Sequence, residues 1–304
     1  MKRIFAIALA LVLALASFAA LAEGTQEIRI GTSNFYFTAP ADYVKGEMSA
    51  EDTNLGQVAY YFTENSLVDF DLYYWAKATD ETLESAIAEE TEGEIASAEF
   101  GGVAFLYYYT EEEADGETFK TVTYMAEDGE YFVELVFWLD GEDAEAKVGE
   151  MMNTIAVKED TDAKTGEGLI RLGTSDLYVT AAKAYEKGEM LRADTDECQV
   201  AYFCSEETTL DFDVYYWAKG TEESLESNAA EEAAAFETEA ADREINGIAT
   251  KYYYAEEQVE GEETSYRTLT YIIDDGEYLA EIVFWLDGET AEAEAEAIIS
   301  SLNH

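Results

Sequence analysis

Asp69-Phe70-Asp71-Leu72-Tyr73-Tyr74-Trp75-Ala76-Lys77 returns 142 residues later as Asp211-Phe212-Asp213-Val214-Tyr215-Tyr216-Trp217-Ala218-Lys219. Each copy alternates in type with a period of two, the signature of a strand whose two faces meet different surroundings. Val68, Phe70, Leu72, Tyr74 and Ala76 make one face, which reads as core. Asp69, Asp71, Tyr73, Trp75 and Lys77 make the other, matched by Asp211, Asp213, Tyr215, Trp217 and Lys219. Carboxylates beside aromatic rings suit a cation, held by charge and ring face, or a sugar, held by stacking. The plainer alternative is a helix lying over Tyr73 and Trp75, with the aspartates solvated at the end of the sheet.

Working outward, the same offset relates Ile28-Arg29-Ile30-Gly31-Thr32-Ser33 to Ile170-Arg171-Leu172-Gly173-Thr174-Ser175, and Gly46-Glu47-Met48 to Gly188-Glu189-Met190. Further along, Tyr107-Tyr108-Tyr109 matches Tyr252-Tyr253-Tyr254 at an offset of 145, and Phe137-Trp138-Leu139-Asp140-Gly141 matches Phe284-Trp285-Leu286-Asp287-Gly288 at 147. Small insertions at loops account for the drift. A period this long is a whole domain, not a solenoid unit. The expected organisation is a signal peptide over 1–22, a first repeat domain over 23–157, a linker over 158–168 and a second repeat domain over 169–304.

Each copy reads as β-β-β-α-β-β-β-α. Strands are expected over Asn34 to Thr38, Gln57 to Thr63, Val68 to Lys77, Val103 to Glu111, Phe119 to Ala126 and Tyr131 to Leu139, with hairpin turns at Glu64-Asn65-Ser66, Ala114-Asp115-Gly116 and Asp128-Gly129. A helix capped by Thr79 or Asp80 presents Leu83, Ala86 and Ile87, and its copy starts near Thr221 with Leu225, Ala229 and Phe236. A C-terminal helix in each copy aligns Val148, Met151, Met152 and Ile155, or Ala295, Ile298, Ile299 and Leu302, and is expected to cover Trp138 and Trp285. The fold class is α+β: two tandem homologous domains, each a mainly antiparallel sheet flanked by two helices in an α/β/α sandwich-like arrangement.

Several features together resemble the PsbP-like superfamily, including DcrB-like bacterial envelope proteins: an opening strand followed by Ala39-Pro40-Ala41-Asp42-Tyr43, a hairpin, a helix beginning Thr82-Leu83-Glu84-Ser85, a three-strand meander, and a final helix ending Ile298-Ile299-Ser300-Ser301-Leu302. The resemblance spans both repeats, although Ala182 stands in the second where Pro40 stands in the first. It implies a fold used for binding or assembly, and it supplies no catalytic residues.

Composition narrows the classes of function. The chain has 304 residues, 68 acidic and 17 basic, for a formal charge of −51. Such a surface repels nucleic acid and anionic membrane alike. The 48% hydrophobic content separates it from an acidic disordered tail. Lys2 and Arg3, the apolar run Ile4 to Leu15 and Ala20-Leu21-Ala22 form a signal peptide, which predicts a secreted or extracytoplasmic protein. Without Lys2 and Arg3 the charge is −53. Cys198 and Cys204 flank an expected strand spanning roughly 20 Å, too long for a disulfide limited to about 7 Å between Cα atoms, so both are expected as thiols.

No catalytic residues are assigned. The only histidine is His304, the cysteines lack a basic partner, and phosphate loops and nucleophile elbows are absent from the sequence. No metal site and no cofactor are expected, because the carboxylates do not fall in a calcium-loop pattern. A second acidic and aromatic row, Glu134, Trp138 and Asp140 with Glu281, Trp285 and Asp287, is as ambiguous as the first. The expected function is a secreted non-catalytic binding or interaction protein whose ligand is cationic or carbohydrate-like and whose partner is cationic or neutral polar, with the Asp/Tyr/Trp/Lys strand faces as the recognition surface. The alternatives are an anionic envelope-stability protein without a small ligand and a carboxylate-dependent hydrolase.

Overall fold

The computed structural model describes residues 24–64, 67–114, 117–158, 163–182, 184–258 and 265–304. The expected signal peptide over 1–22, residues 159–162 of the expected linker, and residues 65–66 and 115–116 of the expected turns lie outside the described residues. No helix among the described residues is long and apolar enough to cross a membrane.

The first repeat runs β1 (Thr25–Arg29), β2 (Phe35–Pro40), β3 (Val44–Lys45), α1 (Ala50–Asn54), β4 (Gln57–Phe62), β5 (Val68–Ala76), α2 (Leu83–Glu90), β6 (Ala96–Phe100), β7 (Val103–Ala114), β8 (Glu117–Asp128), β9 (Tyr131–Leu139), α3 (Ala144–Met152) and β10 (Ala156–Val157). Seven strands form one antiparallel sheet in the order β3-β4-β5-β9-β8-β7-β6. After β5 the chain crosses the sheet as α2 and returns by the β6 to β9 meander, so β9 closes against β5. Phe70 sits at the centre of the inner face, with ring centroids 5.4 Å from Phe37 and 5.7 Å from Phe137. The small sheet β1-β2-β10 and helix α3 cover that face; α2 lies on the opposite one, against Trp75, Tyr108 and Phe132.

The second repeat comprises β11 (Leu169–Arg171), β12 (Tyr178–Thr180), β13 (Glu186–Lys187), α4 (Arg192–Asp196), β14 (Gln199–Cys204), β15 (Leu210–Ala218), α5 (Leu225–Ala235), β16 (Ala241–Ile245), β17 (Ile248–Gln258), β18 (Ser265–Asp275), β19 (Tyr278–Leu286) and α6 (Ala291–Ile299). Its sheet follows the same order, β13-β14-β15-β19-β18-β17-β16. The repeated Gly46 and Gly188 have a shared cause: a Cβ at either would lie 2.3 Å from the ring of Tyr60 or Tyr202. Cys198, just before β14, and Cys204, its last residue, are free thiols.

Two expectations require correction. Helix α2 is capped by Thr82, whose hydroxyl pairs with Ser85 in a capping box, and α5 by Ser224 with Ser227. Thr79 and Thr221, the expected starts, are used between the repeats. Trp138 and Trp285 are not beneath the C-terminal helices. Their backbone partners are Asp69 and Asp211, which places them on the outer face, whereas α3 and α6 lie on the inner one.

The repeats dock reciprocally. Thr79 donates its amide to Met190 O at 2.9 Å and accepts the Met190 amide on its hydroxyl at 2.9 Å. Thr221 does the same with Met48, at 2.8 and 2.9 Å. Lys45 pairs with Glu277 at 2.9 Å, and Lys187 with Glu130 at 2.7 Å. The hydroxyls of the equivalent residues Thr32 and Thr174 meet each other. Such exchange, where i touches j and the copy of j touches the copy of i, is the pattern of an isologous two-fold interface within one chain. The exposed ion pairs add little, about 0–1 kcal/mol each; the paired backbone amides fix the register.

Truncating Phe70 to Ala should lower stability by about 3–5 kcal/mol, the cost of a large aromatic cavity that neighbours cannot fill. Urea unfolding followed by circular dichroism checks this, and a loss below about 1 kcal/mol would show that the inner face is not the core.

Candidate binding grooves

Docking places the outer sheet face of each repeat beside the short helix of the other. Two related grooves result. The first, about 500 Å³, is lined by Asp71, Tyr73, Trp75, Glu90, Tyr108 and Trp138 from repeat one, with Arg192 and Asp196 of α4 from repeat two. The second, about 550 Å³, is lined by Tyr215, Trp217, Glu223, Glu231, Glu232 and Tyr253 from repeat two, with Ala50 and Asn54 of α1 from repeat one. The repeat relates these walls: Glu223 corresponds to Glu81, Glu231 to Glu89 and Glu232 to Glu90, while Ala50 stands for Arg192 and Asn54 for Asp196.

In the first groove Arg192 is gripped. Its guanidinium lies 2.7 Å from Glu81, 2.7 Å from Asp196, 3.8 Å from Glu90 and 4.0 Å from Glu89. Burial acts against its charge, but Asp196 and Glu81 outweigh it, so its proton is held more tightly than usual. The Glu81 side chain is only 8% exposed.

The second groove repeats the three glutamates, has Asn54 where the first has Asp196, and among the described residues is lined by no arginine. Glu232 accepts a hydrogen bond from the Tyr253 hydroxyl at 3.2 Å and is also hydrogen-bonded with Glu281. Burial pushes its carboxyl up to about 7, against those hydrogen bonds, and the negative charges of Glu231 and Glu223 push the same way. Glu223 accepts the Gly220 amide at 2.5 Å. The Asn228 Oδ1 and the Trp217 indole nitrogen are buried without a hydrogen-bond partner among the described residues. Asn228 replaces Ala86 of the first groove.

The residues expected from sequence are divided among several roles. Asp71 is buried; it accepts from the Gln57 amide at 2.6 Å and the Trp138 indole at 2.5 Å. Asp213 does the same with Gln199, at 2.6 Å, and Trp285. Asp69 is hydrogen-bonded by Tyr60, with its carboxyl raised by burial, and Asp211 accepts from Tyr202 at 2.9 Å. Lys77 pairs with Glu127 at 3.1 Å and Lys219 with Asp274 at 3.0 Å. Tyr73 and Trp75 line the first groove, while Tyr215 and Trp217 line the second. Asp211 and Asp213 border a separate cleft with Tyr202 and Trp285. The sequence reading missed the glutamates of α2 and α5, Arg192 and Asn228. The only signal for them was the change from Ala50 to Arg192 at offset 142 opposite otherwise repeated glutamates. Among the described residues no group of three or more carboxylate, thiol or imidazole side chains is placed to hold a metal ion.

No family model matches the chain, and no curated protein matches it in sequence. Among solved structures it is similar to a protein from Bacteroides thetaiotaomicron VPI-5482, at 11% identity and TM-score 0.36 over 53% of this chain and 54% of that one. The chain thus spans about half the length of that protein. Cyanobacterial PsbP (CyanoP) from Synechocystis sp. PCC 6803 is similar over 44% of this chain and 93% of its own, at 6% identity and TM-score 0.35. The T6SS immunity protein TplEi of Pseudomonas aeruginosa is similar over 91% and 96%, at 10% identity and TM-score 0.35. At such identities nothing about function transfers to this chain.

Replacing Asp71 with Ala leaves the Gln57 amide and the Trp138 indole without their acceptor and should cost about 1.5–3 kcal/mol, measured by urea unfolding. Glu232 yields a pH signature. Its folded-state affinity for a proton is raised, so its contribution to stability is complete below its unfolded value and is lost as pH rises through about 7. Melting temperatures from pH 4.5 to 7.5 should fall more steeply for the native protein than for Glu232→Gln; identical slopes would contradict the shift.

Proposed function

We propose that this chain is an exported, non-catalytic binding protein, with repeat domains 23–157 and 169–304 joined by linker 158–168, that takes a cationic ligand in the grooves between its repeats. The observation carrying this reading is that both grooves join a row of glutamates to aromatic walls, and that the first groove holds a cationic side chain there. A sugar platform needs an exposed ring face. Trp217 is 8% exposed and Trp75 is half-buried beneath α2, which favours cation binding over stacking on a sugar.

The hydrolase alternative gains no support from the carboxylate pair of the second groove. Glu232 and Glu281 share a hydrogen bond, whereas glycosidase carboxylates stand roughly 5–9.5 Å apart to admit a nucleophile or water. An envelope-stability role without a ligand is separated by experiment. Thermal denaturation should show a saturable rise with spermidine that survives matched ionic strength, and no rise with a neutral oligosaccharide. Equal rises with every salt at the same ionic strength would mean screening of the −51 charge, and the binding reading would fall.

A further inference from the structure

The two grooves differ in what faces their glutamates. In the first, the Arg192 guanidinium from repeat two bridges Glu81 and Asp196 and stands within 4.0 Å of Glu89 and Glu90. In the second, Glu223, Glu231 and Glu232 repeat the carboxylates of α2 and its approach, while the position facing them is Ala50. We propose that the second groove is a binding site for a guanidinium group presented by a ligand, seated as Arg192 is seated in the first. This deepens the reading of the grooves as cation sites and rests on it.

Three observations support the assignment beyond the acidic character of the wall. First, the chain shows what such a wall holds, because the counterparts of Glu223, Glu231 and Glu232 stand around a guanidinium in the other repeat, while Asn54, whose side chain can also accept an N–H, takes the place of Asp196. Second, the second groove has an added acceptor. Asn228 replaces Ala86, and its Oδ1 is buried without a partner among the described residues, so it is available to an N–H donor that a guanidinium supplies in several directions. Third, Trp217 lines the groove at 8% exposure with its indole N–H unpaired among the described residues, as is that of its counterpart Trp75, and this donor can meet the carbonyl or hydroxyl of whatever bears the guanidinium. Phe236, 40% exposed, and Tyr253 provide apolar wall for an alkyl stem.

A spherical metal ion fits less well. No metal-holding group of side chains is formed among the described residues, and carboxylates distributed along a helix match a planar, multi-donor cation better than a point charge. Ala50 is exposed at the start of α1, so the seat opens to solvent. The groove, about 550 Å³, is larger than a guanidinium alone, leaving room for the group that carries it. The raised carboxyl of Glu232, facing Glu223, Glu231, Glu281, Asp196 and Tyr253, makes the site more anionic above neutral pH.

Isothermal titration of the full chain with agmatine and with the peptide Gly-Arg-Gly tests this, one arm standing for a free guanidino compound and the other for an arginine of a polypeptide. One equivalent of either should bind, more tightly at pH 8 than at pH 6. Ala50→Arg, a change at an exposed helix position, should supply the missing group from within and weaken binding at least tenfold. Glu231→Gln should weaken it at least threefold, and Arg192→Ala should add a second equivalent by opening the first groove. Agmatine binding that Ala50→Arg leaves unchanged would overturn the site. Binding of tetramethylammonium, which donates no hydrogen bonds, as tight as that of agmatine and equally lost in Ala50→Arg would overturn the guanidinium while leaving the cation groove standing. No binding of either probe above the salt background would overturn both.

Discussion

β5 and β15 each separate two environments, and the rest of the molecule is arranged around that separation. Their inner residues, Phe70 and Leu72 or Phe212 and Val214, are fully buried under the C-terminal helix and the small sheet. Their outer residues face a helix that covers only part of the sheet. The antiparallel pairing with β9 and β19 fixes this by placing Asp69 against Trp138 and Asp211 against Trp285, so that aspartate and indole share the outer side. A slip of one residue would put Asp71 in the aromatic core, where an unpaired carboxylate is prohibitively costly. The buried Gln57–Asp71–Trp138 and Gln199–Asp213–Trp285 hydrogen bonds thus serve register as well as stability.

The grooves arise from a second constraint, the reciprocal docking of the repeats. Thr79 and Thr221 each close a two-bond ring with a backbone methionine of the other repeat, which brings α1 and α4 over the outer faces of their neighbours. Duplication alone would give two identical grooves. Arginine at 192 against alanine at 50 closes one with the chain's own cation, while the other keeps the three glutamates with Asn54 and Asn228 in place of Asp196 and Ala86. The net charge of −51 belongs to the chain as a whole; the residues at positions 50 and 192 are what set one groove apart from the other.

Much of the fold was legible because strong alternation leaves little choice. Val68 to Ala76 and Tyr131 to Leu139 have two clearly different faces, and the tandem copy repeats each pattern, at an offset of 142 for the first and 147 for the second. Where residues serve partners distant in sequence, local signals misled. Thr79 and Thr82 are equally good helix caps, and only the docked repeat shows that Thr79 is needed elsewhere. Trp138 was placed beneath the C-terminal helix because a large ring reads as core, yet its pairing opposite Asp69 puts it outside. Strands β1 and β6 and helices α1 and α4 escaped notice because they span five residues each, too few to establish a period. The groove glutamates were invisible in a chain with 68 carboxylates until the structure showed which of them face a guanidinium.

The central claim is that the glutamate row of a groove grips a guanidinium specifically and does not merely tolerate a nearby positive charge. A double-mutant cycle between Arg192→Ala and Glu81→Gln, read by urea unfolding, measures that grip inside the chain itself. Because the Glu81 side chain is 8% exposed and the pair lies 2.7 Å apart, the coupling should be about 1 kcal/mol or more, above the range of a solvated surface pair. Additive effects of the two substitutions, with coupling near zero, would contradict the account.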